Sequence, residues 1–223
     1  MGVTTDRIDA RGESTSEGLR STRYRSVALM GALVTVSLGI ALMVRAHLGV
    51  APGDVLNTGG SERFGIGVGT MGWVNAGAMT ILAVALRRRP QLGTVLGAIA
   101  VGQFVNWYLQ VIPEPQSMAL RIPMLVAGLA ILYPAIAVGV ASNLGTGPIE
   151  LVMLGLHDKG MGMQSARWLI EGLMLAAGIL LGGDFGVITI VFVLVTGPVL
   201  ARLIPPAARH MGTMHLTMGS SQG

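Results

Sequence analysis

Long apolar segments dominate this sequence and decide what the chain can fold into. A helix needs roughly 20 apolar residues to cross about 30 Å of hydrocarbon, and six segments reach or approach that length. Short connections separate them, so the 223 residues leave little room for a soluble domain. We therefore predict an all-α polytopic membrane protein with about six transmembrane helices, at residues 27–44, 70–86, 92–112, 122–141, 168–181 and 187–204.

Composition identifies the lipid bilayer as the main partner of the chain. Hydrophobic residues make up 52% and charged residues 12%, and the mean hydropathy is +0.66, which is too apolar for a hydrated surface. The sequence has no cysteine, which excludes disulfides, thiolate metal sites and cysteine nucleophiles. Because the sequence also lacks a catalytic motif, we expect a protein that is not an enzyme, uses no cofactor and holds no metal.

The basic residues predict how the chain is oriented in the membrane. The pI is near 10.3, but Lys and Arg lie at the ends of apolar segments and not on one soluble face, which argues against nucleic-acid binding. With the N-terminus inside, 12 of the 15 Lys and Arg residues fall in cytoplasmic segments. The positive-inside rule then places both termini in the cytoplasm, with the chain in the plasma (inner) membrane of a bacterium.

An internal repeat divides the chain into two similar halves. The segment LGVAPGD at 48–54 follows the first apolar stretch, and LGTGPIE at 144–150 follows the fourth, at an offset of 96 residues. Further on, Trp73 matches Trp168 at an offset of 95. Each half holds three spans, an odd number, so the second half should be inverted relative to the first. The predicted organisation is a polar cytoplasmic N-tail at 1–26, three-helix repeats at 27–113 and 114–204, and a cytoplasmic C-tail at 205–223.

A proline opens a short helix in each repeated segment. Pro52 and Pro148 suit the first helical position, because that position needs no backbone N–H donor. The first helix is predicted to stop at Gly59-Gly60 and the second at Gly155, so both should be re-entrant half-helices too short to span. The candidate solute or ion path that they define comprises Pro52, Asp54, Asn57, Pro148 and Glu150, with Gly49 and Gly145 as the repeat glycines.

Acidic residues in these apolar surroundings have two interpretations. Asp54 and Glu150 fall in a first helical turn, where an acid offsets the positive end of the helix dipole. The alternative is that they line a solute or proton path. Glu171 lies one turn after Arg167 in the fifth apolar segment, so it is either half of a neutralised pair or a further path residue. That segment is the shortest of the six, and the chain has five spans if it is only interfacial.

Polar amides also lie inside the apolar segments, at Asn75, Gln103 and Asn106. A polar side chain in a membrane helix most often makes an interhelical hydrogen bond. We therefore expect these three residues to join neighbouring helices and not to form a separate site.

The repeated Leu-Gly-x-Ala/Gly-Pro-x-Asp/Glu segment resembles that of the YczE/YyaS/YitT group of bacterial integral membrane proteins. The resemblance covers approximately residues 27–204 and is closest at 48–56 and 65–69. It implies a multi-pass inner-membrane protein with transporter-like organisation, and it names no substrate or catalytic residue.

Two functions from different classes are consistent with the sequence. The inverted repeat and the paired Gly/Pro breaks favour a small-solute transporter or permease. The apolar character of the second half-helix favours a non-transporting accessory protein that supports or matures a membrane partner. The solute, the coupling ion, the direction of transport and the oligomeric state, including a homo-oligomer, stay open.

Overall fold

A computed structural model describes residues 6–145 and 147–212, with side chains from residue 22 onward. These residues form eight α-helices and no strand, as the hydropathy pattern predicts for an all-α chain. The helices are α1 (Asp6–Ala46), α2 (Pro52–Phe64), α3 (Val68–Ala85), α4 (Leu92–Val111), α5 (Met118–Ser142), α6 (Pro148–His157), α7 (Met163–Leu180) and α8 (Val187–His210).

Five of these helices are long and apolar enough to cross a membrane. They are Thr22–Ala46 of α1 together with α3, α4, α5 and α8. The polytopic architecture is confirmed, with five candidate spans in place of the predicted six. Helix α7 has the same 18 residues as α3, but it carries Arg167 and Glu171 and falls below the apolarity of the other five.

The predicted polar tails continue two of these helices. Helix α1 begins at Asp6 and crosses the predicted N-tail without a break, while α8 runs on to His210. The last eleven residues of the predicted C-tail, at 213–223, lie outside the described part of the chain.

Helices α1 and α5 form a central antiparallel pair. The Arg25 guanidinium donates to the backbone oxygen of Ser142 at 2.7 Å, whereas Gly39, further along α1, approaches the earlier Gly128 of α5. A Cβ atom on Gly39 would lie only 3.0 Å from the carbonyl oxygen of Gly128. Small residues allow membrane helices to approach this closely, because van der Waals packing supplies the attraction that the hydrophobic effect cannot supply in lipid.

Helix α4 packs beside α1, and α8 packs beside α5. The Ser37 hydroxyl on α1 donates to the backbone oxygen of Val101 on α4 at 3.3 Å. The Tyr133 and Thr196 hydroxyls lie 3.1 Å apart between α5 and α8. Each outer helix is thus joined near mid-length to the central pair by a hydroxyl group.

The two short helices begin at the predicted prolines and end later than predicted. Helix α2 continues past Gly59 and Gly60 to Phe64, and α6 continues past Gly155 to His157. The predicted stops are wrong because these glycines face neighbouring helices. A Cβ on Gly59 would lie 2.7 Å from the Gly178 carbonyl oxygen, and one on Gly155 would lie 2.7 Å from Cβ of Leu86. Both short helices pack on α3 and α7.

The loop before each short helix rests on the other half of the chain. Gly49 has a left-handed backbone with φ of 111°, and a Cβ there would lie 2.9 Å from the Thr189 hydroxyl at the start of α8. Likewise, a Cβ on Gly145 would lie 2.8 Å from the backbone carbon of Gly93 at the start of α4. Both repeat glycines therefore permit a close backbone contact, and Gly49 also requires a conformation that side chains disfavour.

Candidate functional site

A chain of three polar side chains links α2 to α3 inside the apolar helix bundle. The Asn57 amide donates to Oδ1 of Asp54 at 3.2 Å, and the Asn75 amide donates to Oδ1 of Asn57 at 3.1 Å. An ionised carboxylate can only accept, so it orients both amides in this direction. The chain ends at Oδ1 of Asn75, a buried atom that accepts no hydrogen bond from the described residues.

The direction of these hydrogen bonds depends on whether Asp54 carries a proton. A protonated Asp54 carboxyl group can donate to Oδ1 of Asn57. The side-chain amides of Asn57 and Asn75 can then rotate so that their donor and acceptor atoms exchange places. The buried end of the chain would then change from an acceptor to a donor. An unsatisfied buried acceptor costs about 1–3 kcal/mol, so the end of the chain favours a proton donor or a bound cation beside Asn75, which is only 9% exposed.

A polar cavity of about 710 Å³ lies between α1, α2, α3 and α4. Two polar contacts line it: the Arg45–Glu114 ion pair at 2.7 Å, and Nδ1 of His47 at 3.1 Å from the Asp184 carboxylate. The cavity is also lined by Thr58, Thr70, Trp73, Gln103 and Asn106. We call this space the first cavity.

A second cavity of about 760 Å³ lies between α7 and α8 and reaches the start of α2. Pro52, Gln164, Arg167, Trp168 and Glu171 line it. The Arg167 guanidinium donates to Glu171 at 2.9 Å, one helical turn apart, as the spacing predicts. The structure therefore brings two predicted path residues, Pro52 and Glu171, to one cavity.

The two cavities lie toward opposite ends of α7. Asp184 follows the end of α7 and contacts His47, which follows the end of α1, so those two helix ends lie on the same side. Gln164 lies at the other end of α7, near the mouth of the second cavity. The first cavity thus begins at the His47 side and the second at the Gln164 side.

The amino ends of the two short helices approach each other. A Cβ on Gly53, in the first turn of α2, would lie 4.0 Å from Cδ1 of Ile149, in the first turn of α6. Pro52 is buried and Pro148 half-buried beside them. Glu150 is exposed, and its carboxylate folds back over Gly147. Asp54 and Glu150 therefore occupy different environments, and only Asp54 joins the polar chain among the described contacts.

Asn75 and Asn106 confirm the expectation of interhelical hydrogen bonds. Asn106 on α4 accepts from the backbone N–H of Gly69 at 2.8 Å and donates to the Thr70 hydroxyl at 3.0 Å.

The charged residues of the first cavity were not predicted from the sequence. They lie in four separate segments, and the sequence carries no signal that joins them.

Five long apolar helices, long enough to cross a membrane, define a polytopic α-helical membrane protein. The chain belongs to the family of unknown function DUF6198, whose model matches residues 23–205. It is 26% identical over 177 residues to the uncharacterized membrane protein YczE of Bacillus subtilis (strain 168), covering 78% of this chain and 82% of YczE. No solved structure matches.

Two further relatives extend this relationship. An uncharacterized protein of Haemophilus influenzae (strain ATCC 51907 / DSM 11121 / KW20 / Rd) is 24% identical over 205 residues, covering 91% of this chain and 94% of the relative. The uncharacterized protein YyaS of Bacillus subtilis (strain 168) is 25% identical over 185 residues, covering 80% and 91% respectively. The resemblance inferred from the repeated segments is thus confirmed for YczE and YyaS.

Proposed function

We propose that this protein is a small-solute transporter or permease built from two inverted repeats, α1–α4 and α5–α8. Helix starts support the repeat, because α2 and α6 begin at 52 and 148, α3 and α7 at 68 and 163, and α4 and α8 at 92 and 187. The backbone supports it too. His47 and Asn143, 96 positions apart, are both non-glycine residues with φ of 50°.

Packing between the helices supports inversion. Gly139 approaches Ala32. At the repeat offset of 96, Gly139 corresponds to Met43 and Ala32 to Gly128, and Met43 and Gly128 also approach each other. Reciprocal contacts are expected from a pseudo-two-fold axis, and the antiparallel course of α1 and α5 requires that this axis lies across the two helices. The same relation holds elsewhere: α2 packs on α7 as α6 packs on α3, and α1 packs on α4 as α5 packs on α8.

The observation that carries the proposal is the meeting of the two half-helix amino ends. Gly53 and Ile149 are repeat-related and nearly in contact, so the pseudo-two-fold axis passes between them. The positive ends of two helix dipoles converge there, and in inverted-repeat transporters such half-helix amino ends hold anionic groups of the solute near the midplane. One cavity approaches from each end of the bundle.

The proposed topology places α7 across the membrane as the sixth span, with Arg167 paired to Glu171. Pairing removes most of the cost of carrying two charges into the bilayer. The Arg88–Asp158 ion pair at 2.6 Å then lies at the cytoplasmic face, together with both termini. The proposal assigns no catalytic step to any residue.

Reconstitution tests the proposal directly. A metabolite library is first screened for compounds that raise the melting temperature of the detergent-solubilised protein, since a ligand of the folded state stabilises it. We expect each stabilising compound to enter proteoliposomes faster than protein-free liposomes. Stabilising compounds that show neither uptake nor exchange would contradict transport.

An accessory role is the second candidate, because the space between the half-helices is apolar. Leu151, Val152, Ile170 and Met174 form a buried hydrophobic cluster there, and Leu56 and Ile149 from the two short helices pack against it. A protein that supports a membrane partner needs no hydrated path. This role predicts one stoichiometric membrane protein that co-purifies with the chain, whereas a transporter is active alone in liposomes.

A further inference from the structure

Helices α3 and α4 meet along a tightly closed seam. A Cβ on Gly69 of α3 would overlap the carbonyl oxygen of Gly102 on α4, and a Cβ on Gly102 would overlap the Trp73 indole. The Trp73 indole N–H donates to the backbone oxygen of Ile99 at 3.0 Å. Four residues, Gly69, Trp73, Ile99 and Gly102, therefore hold this seam together.

The repeat-related helices α7 and α8 form the same seam in an open state. At an offset of 95, the four closing residues become Gln164, Trp168, Leu194 and Gly197, and all four line the second cavity. A Cβ on Gly197 would meet no atom within 4 Å. Trp168 is 63% exposed. The α3–α4 seam is therefore closed, whereas the α7–α8 seam is parted at the equivalent positions.

We infer that these two seams are alternating gates, and that α7 and α8 close on the Trp168–Gly197 contact while α3 and α4 part. The inference rests on the proposed inverted repeat. In the second state the Trp168 indole lies on Gly197 and donates to the backbone oxygen of Leu194, as Trp73 does at Ile99. The second cavity then shuts and the first deepens, which exposes the central site to the opposite side. Two packings of equivalent helices are a common basis for such transitions.

One difference between the seams shapes the closed state. Gln164 stands where Gly69 allows near-contact of two backbones, so a closed α7–α8 seam has to accommodate the Gln164 side chain. A disulfide joins Cα atoms about 4.4–6.8 Å apart. Positions 164 and 197 correspond to Gly69 and Gly102, where α3 and α4 nearly touch, so a cysteine pair there suits the closed seam; across the open cavity a Cβ on Gly197 meets no atom within 4 Å.

Disulfide trapping in native membranes tests the gate without knowledge of the solute. The Gln164→Cys/Gly197→Cys variant is oxidised, quenched, and assayed for thiols that still react with a maleimide after denaturation. The native chain contributes no thiol. We expect the pair to become almost completely protected, because even brief closures are captured, and we expect the reductant to restore labelling.

A matched pair separates a defined gate from general flexibility. Gly172 also lines the second cavity, but its repeat mate Gly77 faces open space on α3. The Gly172→Cys/Gly197→Cys variant should therefore keep both thiols free. Free thiols in the 164/197 pair would show that α7 and α8 do not close on each other, and equal cross-linking of both pairs would show unspecific flexibility. Either result overturns the gate, whereas absent transport with selective cross-linking would overturn only the proposed function.

Discussion

Replacing Asp54 by asparagine separates the two roles open to this carboxylate. The amide keeps an acceptor oxygen for Asn57, whose Nδ2 lies 3.2 Å from Asp54 Oδ1. The lost free energy is the difference between a charged and a neutral acceptor, about 1 kcal/mol. Loss of an acid from the first turn of α2 adds about 0.3–1 kcal/mol. The folded state thus loses about 1–2 kcal/mol, a minor part of the roughly 5–15 kcal/mol typical of a native protein.

Transport should respond far more strongly than stability. If Asp54 takes up a proton in each cycle, Asp54→Asn fixes the polar chain in one direction, and uptake into proteoliposomes falls to the level of protein-free liposomes. The apparent melting temperature should fall by about 2–8 °C, as expected for that loss in a chain of this size. Both quantities are measured on the same preparation, so misfolding cannot imitate the result.

Glu150→Gln is the matched control, because Glu150 is the repeat-related acid and is exposed. Its replacement should leave uptake near the wild-type rate. Uptake that survives in the Asp54→Asn/Glu150→Gln double variant would refute the reasoning and leave both acids as helix caps. Equal loss of uptake in the two single variants would show that the polar chain around Asp54 has no special part.

Two further predictions concern topology and packing. Single cysteines at Ser61 and Asp158 should react with an impermeant maleimide from opposite sides of the membrane, and labelling from one side would refute the inverted topology. Gly102→Leu should lower the melting temperature by more than about 3 °C, because overpacking against Trp73 costs roughly 1–3 kcal/mol. Gly77→Leu, at a position where a Cβ meets no atom within 4 Å, should change it little, and equal effects would contradict the closed seam.

The sequence predicted features that depend on local chemistry. Pro52 and Pro148 open helices because a proline fits the first helical turn wherever the chain then leads. The glycines at 59 and 155 predict helix stops, although a glycine within a helix also permits close packing. Only the neighbouring helix decides between these roles, and a single sequence does not show which helix that is.

The cavities depend on contacts between segments distant in the sequence. Arg45 and Glu114 are 69 positions apart, and His47 and Asp184 are 137 apart. For the same reason, the sequence indicated only part of the polar chain. Asp54 and Asn57 lie one turn apart on α2, whereas Asn75 reaches them from α3.

The loop glycines have a consequence for how the protein is made. The loop at Gly49 rests on the first turn of α8, and the backbone N–H of Ile188 donates to the Leu48 oxygen at 3.4 Å. During synthesis the ribosome completes that loop long before it reaches α8. The loop before α2 therefore enters the bilayer with one contact surface unfilled, and α8, the last helix of the described residues, completes its packing.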